Sequence, residues 1–268
     1  MSDSAYVHGY SARENQRLYD QSITLGSLLH HDTLFPAGSR VLECGCGTGA
    51  QTVFLAASSP EARIVSMDLA PSAAARARER VAGEGRSNVA FLAGDAFHLP
   101  FADAAFDHVF LCFVLEHLPE PAQALRALLR MLRPGGTLTA IEGDHGSWYC
   151  HPQTPEAART VACLIEAQAR AGGDALIGRR LYPLFVEAGL REVAVSPRMV
   201  YVDASRPELV EGFSKKTFIA MVEGVRDRSL ALGLVDAATW ARGIADMYRA
   251  TEPGGTFCYT FFKACGVK

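Results

Sequence analysis

The stretch Arg40–Thr52 reads RVLECGCGTGAQT, and its interpretation decides the fold. RVLEC is a short β-prone run, three glycines follow at Gly45, Gly47 and Gly49, and the apolar run QTVFLAASS comes next with helical character. A strand that turns through glycines into a helix opens a parallel α/β sheet and leaves a ligand loop at the strand's carboxyl end. Such a loop can be read three ways. Gly45-x-Gly47-x-x-Ala50 satisfies the G-x-G-x-x-G/A pattern that cradles a dinucleotide pyrophosphate. The same glycines let the backbone approach a different nucleotide-like cofactor. In a third reading the centre is Cys44 and Cys46, as metal ligands or a redox pair.

Composition narrows the classes. The chain has 268 residues, 49% of them hydrophobic, enough for a substantial core. Its 26 basic and 29 acidic residues are spread along the chain and give a net charge of -3, so no footprint for a polyanion is visible and nucleic acid is not expected as a partner. No apolar run approaches the roughly 20 residues of a membrane helix. The start, MSDSAYVHGYSARE, lacks the apolar centre of a signal peptide, so a cytoplasmic protein without membrane association is expected. The seven cysteines lie mostly in apolar stretches, where a reduced thiol acts as a small hydrophobe, and no pair has C-x-x-C spacing. His145, Cys150 and His151 are zinc-ligand types at a spacing that matches no common site, so no metal is expected.

Outward from the loop the chain alternates. Ahead of it, Ser11-Ala-Arg-Glu14 forms a capping box, and Leu18, Leu25, Leu28 and Leu29 continue a helix until Phe35-Pro36. After it come RIVSMD, PSAAARARERVAG, VAFLAGD, FDHVFLCFVL, EPAQALRALLRMLR and TLTAIEGD, which predict five strands by residue 144 joined by right-handed helical crossovers. Beyond Pro155 two helical runs precede the strand EVAVSPRMVYVD. Two or three helices then span Pro207 to about Arg249, before a closing strand TFCYTFFKA. That strand needs a sheet to join, so a single domain over 1–268 is expected: helical lid 1–39, cofactor core 40–145, and substrate-side helices, insertion and last strands 146–268.

Charge discriminates among ligands where glycines do not. Glu43 sits two residues before Gly45 at the end of the first strand, and a carboxylate there repels a pyrophosphate. A cationic cofactor is favoured instead. S-adenosylmethionine (SAM) carries a sulfonium and an α-ammonium, and so suits an acid beside a glycine loop. Asp68 ends the second strand, where a carboxylate accepts both ribose hydroxyls of either NAD or SAM. Asp95 ends the third, where it can accept from an adenine amino group.

The ordered set VLECGCGTG, VSMDLAP, GDAFHLPFADAAFDHVF, VLEHLPEP and LRPGGTL resembles the class I SAM-dependent methyltransferases, in particular the methyltransferase-11 group that includes quinone-biosynthesis C- and O-methyltransferases. The resemblance covers Arg40 to about Asp144. The flanks YVHGYSARENQRLYDQ, EGDHGSWYCHP and GGTFCYTFFK resemble uncharacterised bacterial and archaeal members. It implies a Rossmann-like seven-stranded α/β sheet with helices on both faces, the last strand lying antiparallel between strands five and six. It also implies that Glu43, Gly45 and Gly47 hold the methionine end of SAM, Asp68 and Leu69 the ribose, and Asp95 and Ala96 the adenine, with Cys112 lining the cofactor.

The acceptor is expected outside the strand ends, where EGDHGSWYCHP follows strand five. There Glu142, Trp148, Tyr149 and His151 are candidate acceptor contacts, and His145 is the candidate base because imidazole titrates near neutrality. His117 is a second candidate base, or else holds its own loop. In the N-terminal lid, Tyr10 and Arg17 are candidate cofactor contacts, Arg17 through the methionine carboxylate. Phe213, Phe218, Met221 and Trp240 of the insertion are read as a roof over an apolar acceptor pocket. The expected activity is methyl transfer to oxygen or nitrogen of a small aromatic or polyketide-like molecule, by a monomer or homodimer. Two alternatives stay open: an NAD-dependent oxidoreductase whose pyrophosphate tolerates Glu43, and a SAM-binding cyclase or regulator that does not methylate.

Overall fold

The structure is a computed structural model that describes residues 12–268, with side chains from Gln16 onward. Seven strands form one mixed sheet in the order β3-β2-β1-β4-β5-β7-β6. β1 (Arg40–Cys44) pairs in parallel with β2 (Arg63–Asp68) on one side and β4 (Phe106–Cys112) on the other. β2 continues to β3 (Val89–Ala93), and β4 to β5 (Leu132–His151), also in parallel. The chain therefore winds away to one edge and returns on the far side of β1. Ligands of open α/β sheets bind at the carboxyl ends of strands flanking such a reversal.

β7 (Thr256–Val267) lies between β5 and β6 (Arg191–Val202). Gly136, Thr139 and His145 of β5 meet Lys268, Cys265 and Tyr259 in that order, so the last strand runs opposite to β5 as the resemblance implied. Helices flank the sheet. α3 (Pro71–Gly83) and α4 (Pro121–Met131) each start on proline, whose missing N–H costs nothing in a first turn. α4 buries Ala124, Leu125, Leu128 and Met131, the one-sided spacing of a helix lying on a sheet.

The chain divides into two compact units. One comprises 26–142, 177–197, which includes α6 (Leu181–Ala188), and 262–268, with a core that includes Leu42, Met67, Phe106, Val109, Leu111, Leu128 and Phe185. The other comprises the described residues up to Leu25 together with 143–176 and 198–261. It holds most of α1 (Ala12–His30), α5 (Pro155–Arg170) and the helical insertion before the last strand. The insertion runs through α7 (Pro207–Leu209), a π-helical segment (Val210–Ile219), α8 (Ala220–Gly224), α9 (Arg226–Ala231) and α10 (Ala237–Arg249). Thr217 donates its hydroxyl to the carbonyl of Gly212, five residues back, at 2.7 Å, which suits the wide π turn.

Two expectations change. EGDHGSWYCHP does not follow the fifth strand; β5 runs through it to His151. Its polar residues serve the strand: the Thr260 N–H donates to Ser147 Oγ at 2.9 Å, and that hydroxyl donates to the Asp144 carbonyl at 2.7 Å. Strand alternation then separates buried Cys150 from exposed Tyr149 and His151. The aromatic insertion residues are also closed on one another. Phe218 packs on Phe257 at 4.9 Å and on Tyr259 at 5.5 Å, while Phe213 meets Tyr259 and Phe261 at 5.8 and 5.9 Å. With Met221 and Trp240 also buried, these side chains form the core of their unit. Phe218→Ala should therefore cost about 3–5 kcal/mol, read as a lowered urea midpoint; a loss below about 1 kcal/mol would mean the rings are not a packed core.

Candidate cofactor site

The loop after β1 is shaped by glycines for different reasons. The N–H groups of Gly45 and Cys46 both donate to the Met67 carbonyl, at 2.7 and 3.0 Å, which folds the loop against the end of β2. Gly45 has φ +79°, and a Cβ there would lie 2.4 Å from Val114 Cγ2. Gly49 also has φ +79°, and its Cβ would lie 2.8 Å from the Ala77 Cα of α3. Both are fixed by packing as well as by backbone conformation. Gly47 is different. It adopts φ +52° with nothing within 4 Å of a Cβ, so the space over it is open, and its N–H donates to Asp68 Oδ2 at 2.8 Å. A bare backbone beside an acid is the cradle a nucleotide cofactor needs, so the loop fits SAM.

Three carboxyl groups stand at the strand ends around this loop. Asp68 also accepts from the Ala70 N–H through Oδ1 at 2.9 Å. Burial raises its pKa, against the opposing pull of the Ala70 and Gly47 amides and of Arg76. Each oxygen keeps a further lone pair for a ribose hydroxyl. Leu69 beside it is 54% exposed, an apolar surface next to a hydrogen-bonding acid. At the end of β3, partial burial acts to raise Asp95, but the Phe97 amide and His98 outweigh it and hold the group below its ordinary value. Ala96 follows it, half-buried.

Glu43 is more deeply engaged than its sequence position suggests. Thr52 and Ser66 both donate hydroxyls to its Oε2, at 2.7 and 2.6 Å, tying the first turn of α2 (Thr52–Ser58) and the middle of β2 to the end of β1. Burial raises its pKa to about 7, the two hydroxyls work against that, and the Asp68 charge adds to it. The group is poised near neutrality. A neighbouring cation favours its charged form and a pyrophosphate opposes it.

The cysteine reading loses its chemistry. Burial pushes Cys44 up to about 12 and Cys46 higher still, so neither is a thiolate ready for redox exchange. Among the described residues no group of three His, Cys, Asp or Glu side chains is placed to hold a metal ion. Cys112, at the end of β4, is also buried, and burial with the charges of Glu142 and Glu43 raises its thiol well above the ordinary value.

Past Cys112 the backbone turns at Phe113, which has φ +59°, a left-handed conformation uncommon for a bulky residue. That turn brings the Val114 and Leu115 N–H groups onto Glu142 Oε1, at 2.9 and 2.8 Å. Burial and the Glu116 charge raise Glu142 to about 8 against those amides, and its Oε2 has no hydrogen-bond partner among the described residues. His117 closes the short helix Leu115–His117, with Nε2 3.6 Å from Glu116 Oε1, a placement that suits holding the loop.

In the other unit, His145 is buried and its Nδ1 lies 2.6 Å from the Tyr259 hydroxyl, a partner that sequence reading missed. Tyr259 was legible only as one more β-prone aromatic. Trp148 is half-buried against Phe218 at 6.1 Å, whereas Tyr149 and His151 face solvent. Arg17 is buried in α1 and donates to Gln21 Oε1 at 3.1 Å. Tyr10 lies outside the described residues.

Glu142 supplies a pH test. Its folded pKa lies above the unfolded value, so the folded state holds the proton more tightly, and the stability it contributes is lost as pH rises from about 4.5 through about 8. Glu142→Gln should flatten this part of the pH dependence in urea denaturation at pH 6 and 8.5. An unchanged difference between the two pH values would mean that Glu142 is charged throughout.

Residues 42–140 match the family model of a methyltransferase domain. A demethylmenaquinone methyltransferase of Shouchella clausii is 30% identical over 172 residues, which is 59% of this chain and 73% of that protein. Matches to the next curated relatives span about half of those proteins' length. Among solved structures, phosphoethanolamine N-methyltransferase 2 of Haemonchus contortus superposes with a TM-score of 0.58 at 15% identity, covering 96% of this chain and 58% of that one. The 4+2 cyclase SpnF superposes with a TM-score of 0.56 at 22% identity, covering 91% and 80%. These two share the fold. With the strand order, the glycine loop and the strand-end acids in place, the chain belongs to the class I SAM-dependent methyltransferases, in the methyltransferase-11 family.

Proposed function

We propose that this methyltransferase acts on oxygen or nitrogen of a small aromatic or polyketide-like acceptor, with His145 as its base. The observation that carries the cofactor side is Gly47: its conformation is left-handed, packing does not require its missing side chain, and its N–H fixes Asp68. In this reading Glu43, Gly45 and Gly47 hold the methionine end of SAM, Asp68 and Leu69 the ribose, and Asp95 and Ala96 the adenine, with Cys112 as apolar wall. SAM when bound supplies a methyl carbon already activated by its sulfonium. The protein's own task is then alignment, exclusion of water and removal of one proton.

On the acceptor side the reading follows β5, where His145 comes three residues after Glu142. His145 takes the acceptor's proton at Nε2. It is only 5% exposed, and in this reading that burial keeps water away from the charge that forms. A small molecule rather than nucleic acid is supported by the net charge of -3 and by CFVLEH after β4, which lacks the polar pattern that grips an amino-bearing base. A cytoplasmic setting is supported by free cysteines throughout the described residues, none of whose helices is long and apolar enough to cross a membrane.

The test is release of S-adenosylhomocysteine with a library of phenols, amines and thiols. Once an acceptor is found, His145→Ala should slow turnover by about 10²–10⁴, the usual span of general-base catalysis, and leave SAM affinity unchanged. Full turnover in that variant would remove His145 from the chemistry. Tight SAM binding with no turnover on any acceptor would favour the non-methylating alternative.

A further inference from the structure

The turn after β3 is built closely around Asp95. The Gly94 N–H donates to the Asp68 carbonyl at 2.9 Å, which ties the end of β3 to the end of β2. A Cβ on Gly94 would run into Met67 Sδ, so glycine lets the chain lie close to the core before it turns. The His98 N–H then donates back to the Asp95 carbonyl at 3.0 Å and closes the turn. Both carboxyl oxygens of Asp95 are engaged: the Phe97 N–H donates to Oδ1 at 2.9 Å, and His98 Nδ1 lies 3.1 Å from Oδ2. Chemistry fixes the direction of the second bond. Against partial burial, the Phe97 amide and His98 hold the Asp95 carboxyl below its ordinary value, so near neutrality it is ionised and only accepts. Nδ1 therefore carries a proton and donates, whether the ring as a whole is neutral or charged. The His98 side chain is 85% exposed, so core packing does not account for its place over the carboxylate.

We propose that His98 is a positioning residue that sets specificity at the adenine end: by holding Oδ2 it locks the Asp95 carboxylate in an orientation that accepts from a 6-amino group and repels a 6-oxo group. The inference rests on the reading of Asp95 as the adenine contact. A carboxylate tied at one oxygen still turns about its Cβ–Cγ bond, because that torsion is soft. Tied at both oxygens, by a backbone amide and a ring nitrogen, it cannot turn without losing a hydrogen bond. Each oxygen keeps a further lone pair, so an adenine N–H is still accepted. A hypoxanthine base carries a carbonyl oxygen where adenine carries its amino group. It gives the carboxylate nothing to accept and sets two oxygens against each other, and a site discriminates through such a mismatch as well as through its attractive contacts. A freely turning carboxylate would swing aside and relieve that mismatch. One held by His98 keeps the penalty in place, and sites built to bond a ligand N–H reject the analogue without it for the same reason.

The experiment compares calorimetric binding of S-adenosylhomocysteine with that of its 6-oxo counterpart, S-inosylhomocysteine, in the full chain and in His98→Ala, His98→Asn and Asp95→Ala. The wild type should prefer the 6-amino ligand. His98→Ala should reduce the ratio of the two affinities about threefold or more, in keeping with one lost hydrogen bond. His98→Asn, whose amide offers an N–H donor in the place of Nδ1, should restore the ratio. A merely structural role would weaken both ligands alike and leave the ratio unmoved. An unchanged ratio in His98→Ala therefore overturns the proposal, as does loss of both ligands in that variant or an equal fall of the ratio in His98→Asn. Failure of the adenine reading shows separately, as a wild-type preference that survives in Asp95→Ala.

Discussion

The hydrogen bond between Glu43 and Thr52 closes the base of the glycine loop. Everything from Cys44 to Gln51 hangs between those two residues, whose side chains meet at 2.7 Å, and Ser66 secures the same carboxylate oxygen from β2. The loop is thereby stapled at both ends to the centre of the sheet, where β1 is flanked by β2 and β4. A buried carboxyl is a costly staple. Burial raises its pKa to about 7, so its charge is held in reserve near neutrality. In the proposed reading that reserve links structure to ligand choice: a cation over the open backbone of Gly47 would draw the charge out, and a pyrophosphate would suppress it.

The same unit concentrates other unfavourable features where the strands end. Asp68 and Glu142 are both raised by burial, Glu142 has one oxygen without a hydrogen-bond partner among the described residues, and Phe113 sits in a left-handed conformation. Each is a departure from the most stable choice, and such departures gather at functional sites. The Glu142 bonds to Val114 and Leu115 show what is gained: they fix the chain beyond Cys112, and Val114 in turn packs against Gly45. Glycine loop and staple share one network.

Much of this was legible in the sequence because local chemistry dictates it. Glycines at 45, 47 and 49, acids at the ends of three strands and prolines opening α3 and α4 each have a local physical cause. The order of the sheet came from a resemblance, since spacing alone does not say where a seventh strand inserts. What stayed hidden depends on contacts distant along the chain. The partners of Glu43 lie 9 and 23 residues away, and Tyr259 lies 114 residues from His145. The polarity of EGDHGSWYCHP looked like an acceptor segment beyond strand five because nothing local shows that the strand continues to His151. Phe213 and Phe218 looked like a pocket roof because helical spacing does not distinguish a lining ring from a filled core. Gly143 faces the Tyr259 hydroxyl, 2.3 Å from where its Cβ would lie, a contact between residues far apart along the chain that no local pattern shows.

The central claim is that charge at the end of β1 selects a cationic nucleotide cofactor over a dinucleotide. Calorimetric titration of the pure protein with SAM and, separately, with NADH tests it most directly, with Glu43→Gln as the companion variant. The account predicts that SAM binds, that NADH does not, and that Glu43→Gln weakens SAM. NADH binding without SAM binding, or a Glu43→Gln protein that holds SAM as tightly as the wild type, would contradict it.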